Sequence, residues 1–161
     1  MYKVSGNSLT LLKSIGIYFK NYIKDRYYRK GGVIILEAPK QCPYCNQVVV
    51  FTSNKEIYGK EYGNGKCYLC RNCQASVGCH DNGKPLGVLA TKEMKVLKTA
   101  CHDLFDIVWK KKLLGRSEAY RRMSILLGIE QNQCHFGYFD TPMLMKAIHI
   151  MLNPQWFREV K

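Results

Sequence analysis

The chemistry of this sequence is concentrated in its cysteines. Cys42-Pro43-Tyr44-Cys45 forms one Cys-x-x-Cys turn, and Cys67-Tyr68-Leu69-Cys70-Arg71-Asn72-Cys73 contains two more that overlap. Two such turns, twenty-odd residues apart, can each place two thiolates on one metal ion. That is the layout of a four-cysteine structural zinc finger. For the second pair we take Cys70 with Cys73, because Tyr68-Leu69 reads as a strand entering a tight turn there. Cys67 then becomes a spare thiol, and the other register keeps it as a ligand. A loop of this length cannot build a core of its own and needs a staple, for which Zn²⁺ is the default with four sulfurs. Cys42, Cys45, Cys70 and Cys73 are therefore the candidate zinc ligands.

Three histidines each follow a cysteine, in Cys79-His80, Cys101-His102 and Cys134-His135. With Asp81, Asp103, Asp106 and Asp140 as nearby carboxylates, they could converge into a second metal site or a hydrolytic site in which metal-bound water is the nucleophile. The competing reading has His80 ending a strand, His102 at the side of a helix and His135 filling a loop. No nucleophile–base–orienter pattern supports catalysis, and the second reading is preferred. His149 reads as a helix-flank residue.

Charge points to partners. The 161 residues contain 25 Lys and Arg against 12 Asp and Glu, a net charge of +13. This favours anionic partners, nucleic acid or a protein that carries it, although Lys55, Lys60, Lys66 and Arg71 also offset the negative charge of a four-thiolate zinc site. The helical half offers Lys92, Lys95, Lys98, Lys110, Lys111, Lys112, Arg116, Arg121 and Arg122, of which the last six are the candidate partner or nucleic-acid contacts. Arg121 and Arg122 are expected on the exposed side. Of the eight cysteines the close pairs fit a metal and Cys79, Cys101 and Cys134 lie far apart, which with no visible secretory leader suggests a reducing cytoplasm, and no apolar run is long enough to span a bilayer.

The elements that position these residues follow from periodicity. Residues 1–32 read as a lead-in and a long amphipathic helix, with Leu11, Leu12, Ile15, Tyr18, Phe19, Tyr22, Ile23 and Tyr27 on one stripe and Gly31-Gly32 as its end. Residues 33–90 read as a zinc finger with a small antiparallel sheet, its strands at 33–37, 48–52, 57–62, 68–69 and 75–79. Residues 91–161 read as a helical unit. Thr91 caps a helix through Leu114, Ser117 caps a second through Leu127, and Thr141 caps a third through Leu152 with Pro142 first inside it. Phe136 to Phe139 is expected to be extended, and Trp156 and Phe157 are expected to pack back. The fold class is thus α+β: a zinc ribbon-like finger, one N-terminal helix and a C-terminal three-helix unit, together one compact domain.

The order of motifs also resembles a known family. Cys42-Pro-Tyr-Cys45, Cys70-x-x-Cys73, Ala75-Ser-Val-Gly78-Cys-His80, Pro85-Leu-Gly87-Val-Leu-Ala90, Phe105-Asp106-x-x-Trp109, Arg116-Ser-Glu-Ala-Tyr120 and His135-Phe-Gly-Tyr-Phe-Asp140 look like those of a phage and prophage zinc-finger-containing domain family, over roughly residues 41–152. The resemblance implies phage or prophage origin and zinc at Cys42, Cys45, Cys70 and Cys73, but no agreed activity. By the company such genes keep, it suggests an anti-CRISPR role: a non-enzymatic protein that binds a Cas9-type host nuclease or its guide RNA and obstructs nucleic-acid loading. The alternatives are a DNA- or RNA-binding accessory protein and a metal-dependent nuclease built on His80, His102 or His135.

Overall fold

A computed structural model describes residues 28–30 and 33–158. The chain divides into two compact units, residues 1–35 and 36–161. In the first, the body of the expected N-terminal helix lies outside the described residues. Its expected end is not helical. Tyr28–Lys30 is strand β1, paired antiparallel with β2 (Val33–Ile35) in the register Tyr28↔Ile35 and Lys30↔Val33. Val33, Ile34 and Ile35 are β-branched and offer a strand partner two residues away, the spacing of a tight hairpin, so ladder pairing wins over helical continuation.

The second unit begins with the finger. Strands β3 (Val50–Ser53), β4 (Lys66–Leu69) and β5 (Ser76–Gly78) form an antiparallel sheet in that order, with Phe51 opposite Tyr68 and Tyr68 opposite Val77. The strand expected at 57–62 is absent, and one helical turn, α1 (Lys55–Tyr58), takes its place. Two causes are visible. Gly59, Gly63 and Gly65 hold left-handed backbone (φ 74°, 57° and 72°), which interrupts any strand. The buried Asn54 side chain also donates to the Tyr62 carbonyl at 2.7 Å and accepts from its N–H at 3.1 Å, so it occupies groups that a neighbouring strand would use.

Three longer helices follow: α2 (Lys92–Lys110), α3 (Arg116–Leu127) and α4 (Thr141–Met151). Thr91 caps α2 as expected, accepting from the Met94 N–H. The helix ends four residues before Leu114. Leu113 N–H bonds to the Val108 carbonyl and Lys112 N–H to that of Trp109, with Lys112 left-handed at φ 56°. This paired closure ends a helix whichever residue holds the left-handed position. Gly115, not Ser117, is the N-cap of α3. The Asp140 carboxylate, not Thr141, caps α4 by accepting from Met143 N–H at 3.0 Å. Phe136–Tyr138 is a 3-10 turn rather than extended.

The helical core centres on Phe105 and Phe136, both fully buried with ring centroids 5.3 Å apart. Trp156 stacks on Phe105 at 5.8 Å and Phe157 is buried beside it, so the tail packs back as its sequence suggests. Finger and helices meet at two glycines. Val88 N–H donates to the Gly137 carbonyl at 2.9 Å, and a Cβ on Gly87 would lie 2.2 Å from that same oxygen. The Lys98 ammonium reaches the same carbonyl at 3.0 Å.

Candidate metal centre

Each Cys-x-x-Cys turn folds by the same local rule. Asn46 N–H donates to the Cys42 carbonyl and Cys42 N–H to that of Gln47. In the second turn Gln74 N–H donates to Cys70 and Cys70 N–H to Ala75. Asn46 and Gln74, the residues directly after each turn, sit at φ 58° and 61°, a conformation that amide side chains tolerate and most others resist. The turns thereby aim their sulfurs at a common point. The Sγ atoms of Cys42, Cys45, Cys70 and Cys73 all lie within 4.8 Å of one another, with Cys42–Cys73 and Cys45–Cys70 at 3.4 Å.

A zinc ion 2.3 Å from four tetrahedral sulfurs needs S···S separations of about 3.8 Å, inside this range, whereas a disulfide would bring two sulfurs to about 2.05 Å. The eight cysteines are free thiols. Backbone N–H groups already face the sulfurs. Tyr44 and Cys45 N–H reach Cys42, Gln47 N–H reaches Cys45 and Ala75 N–H reaches Cys73, which favours the thiolate that a metal requires. The Asn72 side chain, with Gln47 N–H, lowers the Cys45 pKa to about 6, while burial pushes Cys73 up to about 12 and raises Cys42. Cys42 and Cys70 are fully buried and pack with Val49, Ala75 and Leu89. These donors fit Zn²⁺, which is the cofactor of this finger.

The overlapping register resolves on the strand. Cys67 lies within β4, opposite Thr52 and Gly78, is buried, and takes no part in the cluster. Cys79 donates toward the Lys66 carbonyl. Cys101 and Cys134 are pushed up to about 12 by burial and stay protonated near neutral pH.

The second site suggested by His80, His102 and His135 is not assembled. Among the described residues, the four cysteines are the one group in which three or more His, Cys, Asp or Glu ligand atoms converge. His80 lies two residues beyond β5, with its backbone N–H on the Lys84 carbonyl. His102 lies edge-on to Phe136, and His135 rests against Tyr138 while accepting from Gly137 N–H. Asp106 is held by Trp109 Nε1–H and Lys110, and Asp140 is spent as a cap. His149 sits exposed in the last turn of α4.

The six candidate contacts divide. Lys110 pairs with Asp106 at 2.9 Å. Glu118 takes both Arg121 and Arg122, and Arg122 also donates to the Phe157 and Arg158 carbonyls. Arg122 is therefore half-buried and ties down the tail, contrary to its expected exposure. Lys111 and Lys112 stand exposed beyond the end of α2, and Arg116 lies over the Trp109 and Tyr120 rings at 5.8 and 5.4 Å. Lys98, expected on the basic surface, turns inward to the Val88 and Gly137 carbonyls, and burial lowers its pKa to about 8. Lys95 is likewise drawn in to donate to Ser76 Oγ. The apolar spacing of α2 brackets both lysines, since Met94 and Cys101 flank them on the buried face, and this was the signal available.

Among the described residues, no helix is long and apolar enough to cross a membrane. A sequence family described as a zinc-finger-containing domain matches residues 38–154, well over half of the chain. No curated protein and no solved structure matches it.

Proposed function

The chain belongs to this zinc-finger-containing domain family, and on that premise we propose a zinc-stabilised binding protein that performs no catalytic step and whose partner is nucleic acid. The observation carrying this reading is a net charge of +13 that internal pairing does not absorb. Among the described residues the ion pairs use Arg71, Lys110, Arg121 and Arg122, which leaves Lys111, Lys112 and Arg116 to meet phosphate. Zinc holds the finger and supplies no reaction. The His102 ring packs on Phe136, the His135 ring packs on Tyr138 and accepts from Gly137 N–H, and the three candidate histidines do not converge on one point, which supports binding over hydrolysis.

Phosphate neutralisation releases counterions, so affinity for DNA or RNA should fall linearly on a log–log plot against salt. Binding measured by fluorescence anisotropy from low to physiological salt tests this. The expected result is a steep negative slope that becomes shallower in Lys111→Ala/Lys112→Ala. Salt-insensitive or absent binding to both DNA and RNA overturns it.

The phage resemblance supports a second reading, anti-CRISPR inhibition of a Cas9-type host nuclease, through the same basic surface competing for guide or target nucleic acid. Its test is a cleavage assay with the chain in stoichiometric excess. Unimpaired cleavage removes this reading and leaves the first in place.

A further inference from the structure

We infer that β3 and its connection to β4 present stacking surfaces for single-stranded nucleic acid, a proposal that rests on the nucleic-acid reading above and gives it a strand type and a surface. The observation is an association of rings with cations. Phe51, Tyr58 and Tyr62 are 49%, 51% and 51% exposed, and each has a lysine ammonium near its ring. Lys66 lies 5.7 Å from the Phe51 centroid, Lys95 5.6 Å from Tyr58 and Lys60 5.1 Å from Tyr62.

The finger leaves two ring surfaces half open, Phe51 on the sheet face that also carries Tyr68 and Val77, and the touching pair Tyr58 and Tyr62, and rings left open beside cations mark surfaces that a partner covers. The local charge identifies the cover. Lys55, Lys60, Lys66 and Arg71 lie on or beside this connection, while its two acids are engaged inside the finger. Glu56 takes Arg71 and Thr52, and Glu61 accepts from Ser53 Oγ at 2.9 Å. A polyanion that carries its own flat rings complements such a surface. Bases stack on the aromatic faces, and the Lys60 and Lys66 ammonium groups move from ring to neighbouring phosphate, while Lys95 stays on Ser76 Oγ.

Duplex DNA hides its base faces and offers nothing for these rings to stack on, so the platform selects single strands. The fold keeps the rings presented. Phe51 sits opposite Tyr68 in the ladder, with centroids 4.9 Å apart. Tyr58 and Tyr62 meet edge to face at 5.5 Å across the Gly59 turn, with Tyr62 pinned by Asn54.

The test compares binding of the zinc-loaded full chain to a fluorescein-labelled 20-mer of deoxythymidine, the same length of oligouridine, and a 20-base-pair duplex. The variants are Phe51→Leu, Tyr58→Leu/Tyr62→Leu and Lys60→Ala/Lys66→Ala, each checked for one zinc per chain. Leucine keeps apolar volume and removes the stacking face, and the two ring variants lie in separate segments, so a folding failure in one leaves the other to decide. Single-strand affinity should fall about fivefold or more per ring removed, with an unchanged salt slope and unchanged duplex binding. The lysine variant should lower the salt slope by about 0.7 per lost phosphate contact. Single-strand binding that persists undiminished in both ring variants overturns the platform while the nucleic-acid reading stands. Absence of binding to all three probes at low salt overturns both. Capture of a nuclease protein by the wild type, lost in the ring variants and indifferent to nucleic acid, would assign the surface to a protein and overturn the inference.

Discussion

Cys70→Ala and Cys67→Ala differ by three positions in sequence and by the whole metal site in consequence. The four sulfurs already lie within 4.8 Å of one another, bracketing the ~3.8 Å edge of a zinc tetrahedron, so the ion enters with little backbone adjustment. Removing Cys70 Sγ leaves three ligands. Loss of an outer partner of a metal ligand costs 10–100-fold in affinity, about 1.4–2.7 kcal/mol, and loss of the ligand itself costs more than that floor. Structural zinc supplies ~10–16 kcal/mol of apparent free energy to small fingers, at least as much as the ~5–15 kcal/mol net stability of a domain. Cys70→Ala should therefore be zinc-poor and melt early, with the finger lost first. Cys67→Ala removes one buried sulfur from the sheet, costing about 1 kcal/mol of packing, and should keep one zinc per chain. Elemental analysis after gel filtration against a competing chelator, paired with thermal melts, reads both quantities. Equal zinc loss in the two variants, or loss in Cys67→Ala alone, would refute the assignment of ligands.

Further outcomes follow from the same geometry. Gly87→Ala should destabilise by about 1–3 kcal/mol, seen as a lower melting temperature, because its Cβ would meet the Gly137 carbonyl at 2.2 Å and backbone must move. Zinc affinity should weaken as pH falls below neutral, because burial keeps Cys42 and Cys73 protonated and metal entry must displace those protons; a chelator competition across pH checks this. The Arg121 and Arg122 hydrogen bonds hold Glu118 at about 2, below its ordinary value. Its stabilisation is thus present above the usual carboxylate range and lost as pH falls toward 2, and the melting difference between wild type and Glu118→Gln should shrink over that interval. Lys98 titrates at about 8 in the fold, so the unfolded chain binds the extra proton between there and the ordinary lysine value. Stability should rise with pH across that window in the wild type and lose this rise in Lys98→Met.

The zinc ligands were legible because metal geometry is local. A Cys-x-x-Cys turn fixes two sulfurs through hydrogen bonds among six consecutive residues, and only the choice between Cys67 and Cys73 as the partner of Cys70 needed the strand on which Cys67 lies. Helix interiors were legible from their apolar spacing, as were the Thr91 cap of α2 and the end of α3 at Leu127, yet the other ends were not. Asp140 outcompeted Thr141 because a carboxylate is the stronger acceptor at a helix N-terminus, and a left-handed Lys112 closed α2 ahead of the expected Leu114. The strand expected at 57–62 failed for a reason that single-residue preference does not register, a buried Asn54 side chain that bonds both backbone groups of Tyr62. Burial of Lys98 depended on Gly137, thirty-nine positions away. The paired rings and lysines of the finger were likewise invisible, since Lys95 reaches Tyr58 from α2.

The backbone contact between Gly87 and Gly137 sets an order of events during synthesis. The last zinc ligand, Cys73, leaves the ribosome some sixty residues ahead of Gly137, so the finger can capture its ion while the helices are still being translated. Its far edge must wait, because the partner of the Val88 N–H has not yet been made. Until then that edge is an open latch, and translation pauses between the two glycines would lengthen the interval in which a half-built chain is vulnerable to proteases and to zinc scavengers.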